Sequence, residues 1–152
     1  TLTLVPELAT CHTNIGGTLF TTHATTNGCA YIYGGGSILT EDTFEGSMAI
    51  ECPEGKQIDF KITKLGSEET KCTITVPAQE GLSSVFFENK TASSPTEVKI
   101  EPNLAGLKYF TEGGLLNCGV GNGEHTNGTY KGLDTFKATG GSGGIDFKVA
   151  EE

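Results

Sequence analysis

Apolar and polar residues alternate with a period of two along most of the chain. In residues 44–52, Phe44, Met48, Ile50 and Cys52 share one side with Gly46, while Glu45, Ser47 and Glu51 share the other with Ala49. Successive side chains of an extended backbone point to opposite faces, so this run predicts a strand with one face in a core and one in water. Ile58, Phe60 and Ile62 alternate with Asp59, Lys61 and Thr63, and Cys72, Ile74 and Val76 alternate with Thr73 and Thr75. Near the end, Ile145, Phe147 and Val149 alternate with Asp146 and Lys148. Weaker strand patterns occupy 2–8, 18–26, 29–33, 36–41, 82–88, 96–101, 106–111 and 129–137.

Turn residues divide these runs. Asn27-Gly28 is a strong two-residue hairpin signal. In Cys52-Pro53-Glu54-Gly55, Pro and Gly stand where a type I turn wants them, which predicts a hairpin between 44–52 and 57–64. Gly34-Gly35-Gly36 and Asn127-Gly128 read as further breaks. No window keeps an apolar stripe at helical spacing beyond two turns. The pattern therefore predicts an all-β, antiparallel two-sheet β-sandwich, or a partly closed barrel, with disulfides, almost no helix and a single domain over 1–152. Residues 90–95, 112–128 and 139–144 read as flexible connections.

Charge narrows the list of partners. The net charge is −9 and is spread evenly: residues 1–76 hold nine acids and four Lys, residues 77–152 ten acids and six Lys, and Arg is absent. Nucleic-acid binding draws on cations to displace phosphate counterions and on Arg to read guanine, so nucleic acid is not an expected partner. The same field disfavours anionic lipid surfaces. No apolar run approaches the length of a membrane span, so no membrane insertion is expected.

Five cysteines, Cys11, Cys29, Cys52, Cys72 and Cys118, are dispersed without a C-x-x-C pair, which suits structural disulfides in an oxidising, extracellular setting better than a metal knuckle. If the predicted strands run alternately up and down, Cys11 and Cys52 fall at one end and Cys29 and Cys72 at the other. Cys11–Cys52 and Cys29–Cys72 are then the expected bridges, with Cys118 unpaired or bridged to another chain. A start at Thr1-Leu2-Thr3, without Met or an apolar leader, fits a product whose secretory signal has been removed.

Several stretches, Asn27-Gly28-Cys29-Ala30-Tyr31, Ile50-Glu51-Cys52-Pro53-Glu54-Gly55 and above all Cys72-Thr73-Ile74-Thr75-Val76-Pro77-Ala78-Gln79-Glu80-Gly81-Leu82, together with Gly106-Leu107-Lys108-Tyr109 and Asn127-Gly128-Thr129-Tyr130, carry a resemblance. Over residues 10–149 the chain resembles a family of secreted proteins abundant in soil actinobacteria of the Solirubrobacter type. The resemblance implies secretion and a β-rich fold; the family has no assigned activity. Its members carry a further Cys-bearing strand ahead of the position of Cys11, which would account for an odd cysteine here.

Catalytic patterns are weak throughout. Gly140-Gly141-Ser142-Gly143-Gly144 matches G-x-S-x-G literally, but a nucleophile elbow needs a helix after it and a later His, and no His follows Ser142. His12, His23 and His125 have no metal-ligand spacing. Acidic pairs such as Glu41/Asp42 and Glu68/Glu69 arise by chance in any acidic sandwich. Tyr31 and Tyr33, two residues apart on one strand face, offer a stacking platform for carbohydrate or pack across strands. Asn122 and Glu124, in the Gly-rich stretch 117–128, offer oxygen ligands without any known calcium-loop spacing. Asn89 and Asn127 head glycosylation-type triplets. The expectation is a secreted, non-enzymatic structural protein, self-assembling with copies of itself through strand edges as a coat or filament subunit. The alternative is a module binding carbohydrate or another cell-surface ligand. No catalytic residue, metal or cofactor is expected.

Overall fold

A computed structural model describes residues 1–9, 11–90 and 97–137. Eleven strands and one short helix follow in chain order: β1 (Leu2–Leu4), β2 (Cys11–Ile15), β3 (Thr18–Thr25), β4 (Ala30–Thr40), β5 (Thr43–Glu51), β6 (Ile58–Lys64), β7 (Thr70–Val76), β8 (Gln79–Asn89), β9 (Glu97–Glu112), α1 (Leu115–Cys118), β10 (Gly123–Lys131) and β11 (Asp134–Lys137). All pairings are antiparallel. The strand path runs β1-β4-β5-β8-β9-β7-β6-β3-β2, with β10 and β11 also on β9, and the sheet is not closed.

The long strand β9 belongs to both layers. Its first part pairs with β8 and β11 in one sheet, and its second part pairs with β7 and β10 in the other. Gly106 is the joint. Up to it the buried positions are Val98, Ile100, Pro102 and Leu104, and beyond it Leu107 and Thr111. Inward positions thus change from even to odd at a residue with φ 77°, a conformation glycine adopts without a Cβ penalty. This is a bulge: the β9–β10 register slips at the same place. Inward side chains of both layers meet in one core that includes Tyr33, Phe44, Ile50, Ile58, Val85 and Leu104.

Strands 44–52, 58–63 and 72–77 appear close to where alternation predicts them, as β5, β6 and β7. The connections differ. Asn27-Gly28 does form a tight turn, with φ 52° and 82° and Cys29 N–H donating to Thr26 O at 2.9 Å. It carries the chain between sheets, because β3 pairs with β2 and β6 whereas β4 pairs with β1 and β5. Asn27 Nδ2 fastens the turn by donating to Gln57 O and Asp59 Oδ2. The Pro53–Gly55 turn likewise crosses from β5 to β6 and closes no hairpin. Gly34-Gly35-Gly36 does not end the strand: β4 runs through it to Thr40, with a slip of register against β5 between Gly34 and Ser37.

That continuity overturns the expected disulfides. Reading 29–33 and 36–41 as two strands adds one false reversal and inverts the parity of everything after it. With one strand in place of two, Cys29 before β4 and Cys52 after β5 stand side by side at the open end of a hairpin. They are bridged, at a Cα separation of 4.1 Å. Cys72 of β7 is bridged to Cys118 of α1, at 5.2 Å, and the free thiol is Cys11, not Cys118. The stretch 112–128, expected to be flexible, contains the end of β9, α1, the second bridge and most of β10. The strand expected at 145–149, the Gly140–Gly144 run and the connection 139–144 lie outside the described residues, as does most of 90–95.

Candidate functional site

A cavity of about 270 Å³ lies between the two layers. β4 and β5 contribute Tyr31, Met48 and Ile50 to its wall, and β6 and β7 contribute Ile58, Phe60, Ile74 and Val76. Its remaining side is built by β9 and β10, from Leu107, Tyr109, Thr129 and Tyr130. Gly128 sets the approach of β10 to β9 beside the cavity. Gly128 faces Leu107 so closely that an added Cβ would stand 2.9 Å from Leu107 O and 3.2 Å from the Tyr109 ring. The two strands meet backbone to backbone there, with no room for a side chain.

Three tyrosines cluster beside the cavity. The Tyr31 and Tyr130 ring centroids are 6.2 Å apart, and Tyr33 meets Tyr31 edge-on at 6.5 Å. Asp134, the first residue of β11, acts electrostatically on all three phenols. Burial, reinforced by the neighbouring Tyr130 and by the Asp134 carboxylate, pushes the Tyr31 hydroxyl up to about 12. Burial and then Asp134 also raise Tyr33 and Tyr130 above the ordinary phenol value. The Tyr33 hydroxyl is buried with no hydrogen-bond partner among the described residues.

Tyr31 and Tyr33 do not form an exposed platform. Only 7% of Tyr31 and 1% of Tyr33 is accessible, and Tyr33 packs edge-on against Phe87 at 6.4 Å. Tyr31 nevertheless lines the cavity, whereas Tyr33 is not part of its wall. Asn122 and Glu124 are not brought together as ligands. Asn122 Oδ1 accepts from Gly113 N–H at 3.0 Å and Gly114 N–H at 2.6 Å, which uses both lone pairs to hold the turn after β9. Glu124 is exposed on β10 opposite Phe110. Among the described residues no group of three or more His, Cys, Asp or Glu is placed to hold a metal ion.

His125 has a structural setting. It stacks on Tyr109 at 4.9 Å, and its Nε2 lies 2.9 Å from Gly121 O and 3.0 Å from Thr111 Oγ1. A carbonyl only accepts, so Nε2 carries the proton. His12 and His23 are exposed on β2 and β3. Asn89 is 7% accessible at the end of β8, and the Asn127 side chain accepts from the Tyr109 hydroxyl at 3.2 Å.

Tyr109 and Tyr130, the other two tyrosines the sequence offers as aromatic platforms, both line the cavity, whereas nothing in the sequence singled out Asp134 or Gln79. The Gln79 side chain imitates a strand: its Nε2 donates to Lys108 O at 3.1 Å, and its Oε1 accepts from Lys108 N–H at 2.9 Å. It thereby pairs with β9 in the gap between β8 and β7, which gives the V-P-x-Q stretch a physical role where the chain changes sheets. No protein family, curated protein or solved structure matches the chain. Two disulfides suit an extracellular or otherwise oxidising environment. Among the described residues no helix is long and apolar enough to cross a membrane.

Proposed function

We propose that the chain is a secreted, non-enzymatic structural protein whose copies associate through strand edges. The observation that carries this reading is the outer edge of β4. β1 covers only Tyr31, Ile32 and Tyr33, so Gly34–Thr40 has no ladder partner on that side among the described residues. An open edge is a template for another strand, and soluble proteins usually block one with Lys, Pro or a covering segment. Gly34-Gly35-Gly36-Ser37-Ile38-Leu39-Thr40 contains no charge and no Pro, in a molecule of net charge −9. Ile38 and Leu39 are about half accessible. Two such chains carry the same net charge, and their repulsion is least along uncharged strips of this kind.

The test is light scattering coupled to size exclusion across a wide concentration range. The expected result is a mass that grows with concentration for the native chain and stays monomeric for Ile38→Lys, which places a gatekeeper charge on the edge. A native chain that is monomeric at every concentration rejects the proposal. The inter-sheet cavity favours a second reading, a module that binds a small molecule. Its ligand would enter between the sheets rather than stack on an exposed sugar platform, since Tyr31 and Tyr33 are buried.

A further inference from the structure

We infer that the inter-sheet cavity is a binding site for a neutral aromatic molecule of about two fused rings. That assignment rests on the small-molecule reading proposed for the cavity. Size comes first. A dry apolar cavity of about 150 Å³ admits benzene, and this one, at about 270 Å³, is nearly twice as large. The space lies where a ladder ends. β7 pairs with β9 only from Thr73–Glu112 to Thr75–Phe110, and past that point Val76 on one strand and Leu107 and Tyr109 on the other line the cavity.

The lining selects the chemistry. Its inner part is buried and consists of Tyr31, Met48, Ile50, Ile58 and Leu107. Phe60, Ile74, Val76 and Tyr109 are half-buried and form its more accessible side. No Asp, Glu, Lys or His belongs to the wall. A charged ligand would therefore give up its hydration with no counter-charge to receive it, and burial of an unpaired charge is costly. Water is a poor occupant too. A buried water needs about two to four polar partners, whereas carbon dominates this wall and the Tyr109 hydroxyl is already donated to Asn127 Oδ1. The walls favour a ring over a chain, because Tyr31, Phe60, Tyr109 and Tyr130 offer four aromatic side chains to an aromatic guest, and rings pack edge-to-face or offset on one another.

The experiment is calorimetric titration of the native chain with naphthalene and with its two charged relatives, 1-naphthoate and 1-naphthylmethylammonium. Naphthalene should bind, and both ions should bind about tenfold more weakly or worse. Ile74→Trp and the milder Val76→Phe, each shown by circular dichroism to keep the sheet, place extra rings in the cavity and should abolish naphthalene binding. Ile38→Lys, on the outer edge of β4 and away from the wall, should bind as the native chain does. If either ion binds the native chain as tightly as naphthalene and the filling variants abolish that binding, the neutral class is wrong while the cavity reading stands. If naphthalene binds folded Ile74→Trp and Val76→Phe undiminished, its site is elsewhere and the inference fails. If none of the three compounds binds the native chain, the inference and the small-molecule reading fail together.

Discussion

Gly36 and Gly46 let β4 and β5 come closer than side chains allow. A Cβ on Gly36 would stand 1.8 Å from Glu45 O, and one on Gly46 would stand 2.3 Å from Gly34 O and 2.8 Å from the Phe87 ring. Backbone atoms cannot swing aside as the tip of a side chain can, so an alanine at either position must push the strands apart. Gly36→Ala should therefore cost about 2–3 kcal/mol or more, at the upper end of overpacking penalties. Gly66 is the control. It has open space around its Cα and φ 75°, so Gly66→Ala carries only the left-handed backbone penalty of about 1–2 kcal/mol. Urea melts of the two variants check the order, and equal losses would mean that the contact at Gly36 relaxes freely. The same close approach explains why β4 continues through three consecutive glycines. Gly36 is there for the backbone of the neighbouring strand and does not turn the chain.

Period-two alternation located β5, β6 and β7 because each has one face in the core and one in water. It could not show where a strand goes next, since a turn between sheets and a turn within a hairpin use the same residues. Asn27-Gly28 has positive φ at both positions, as a hairpin turn would, yet it separates strands of different layers. Glycines inside strands misled in the opposite sense: 96–101 and 106–111 are one strand bent at Gly106, as 29–33 and 36–41 are one strand across Gly34–Gly36. The candidate site was half legible. Tyr31 stood out by its place on a strand face, but Tyr130 lies about a hundred residues away and meets it only because β10 pairs with β9. The bridges give this level its test. Peptide mapping without reductant should recover Cys29 joined to Cys52 and Cys72 joined to Cys118, with Cys11 as the one titratable thiol. Chain entropy assigns about 3 and about 4 kcal/mol to loops of 23 and 46 residues, so removing the second bridge should be the costlier change. A Cys11–Cys52 peptide would restore the up-and-down meander and remove the crossing turns.

At the scale of the whole molecule, the two layers share β9 and are joined again by the tyrosine cluster, where Tyr31, packed on Tyr33 of its own sheet, meets Tyr130 of the other. Stability against alkali should be set there. A phenol whose value is raised on folding holds its proton more tightly in the native chain than in the unfolded one. Its contribution is complete below the unfolded value near 10 and is lost as pH rises through the folded value. For Tyr31 that window runs from 10 to about 12, and a two-unit difference corresponds to roughly 2–3 kcal/mol. Tyr33 and Tyr130 act in the same direction. Asp134 enlarges the effect, because each phenolate would form beside a carboxylate in a molecule that already carries −9. The expected outcome is a cooperative alkaline transition between pH 10 and 12 in which loss of β-sheet dichroism coincides with late tyrosinate absorbance at 295 nm. Asp134→Asn should move that transition to higher pH by relieving the repulsion. Tyrosines that all ionise near pH 10 with the sheet intact would show that Tyr31 and Tyr33 are reached by water and that the end of the sandwich is open.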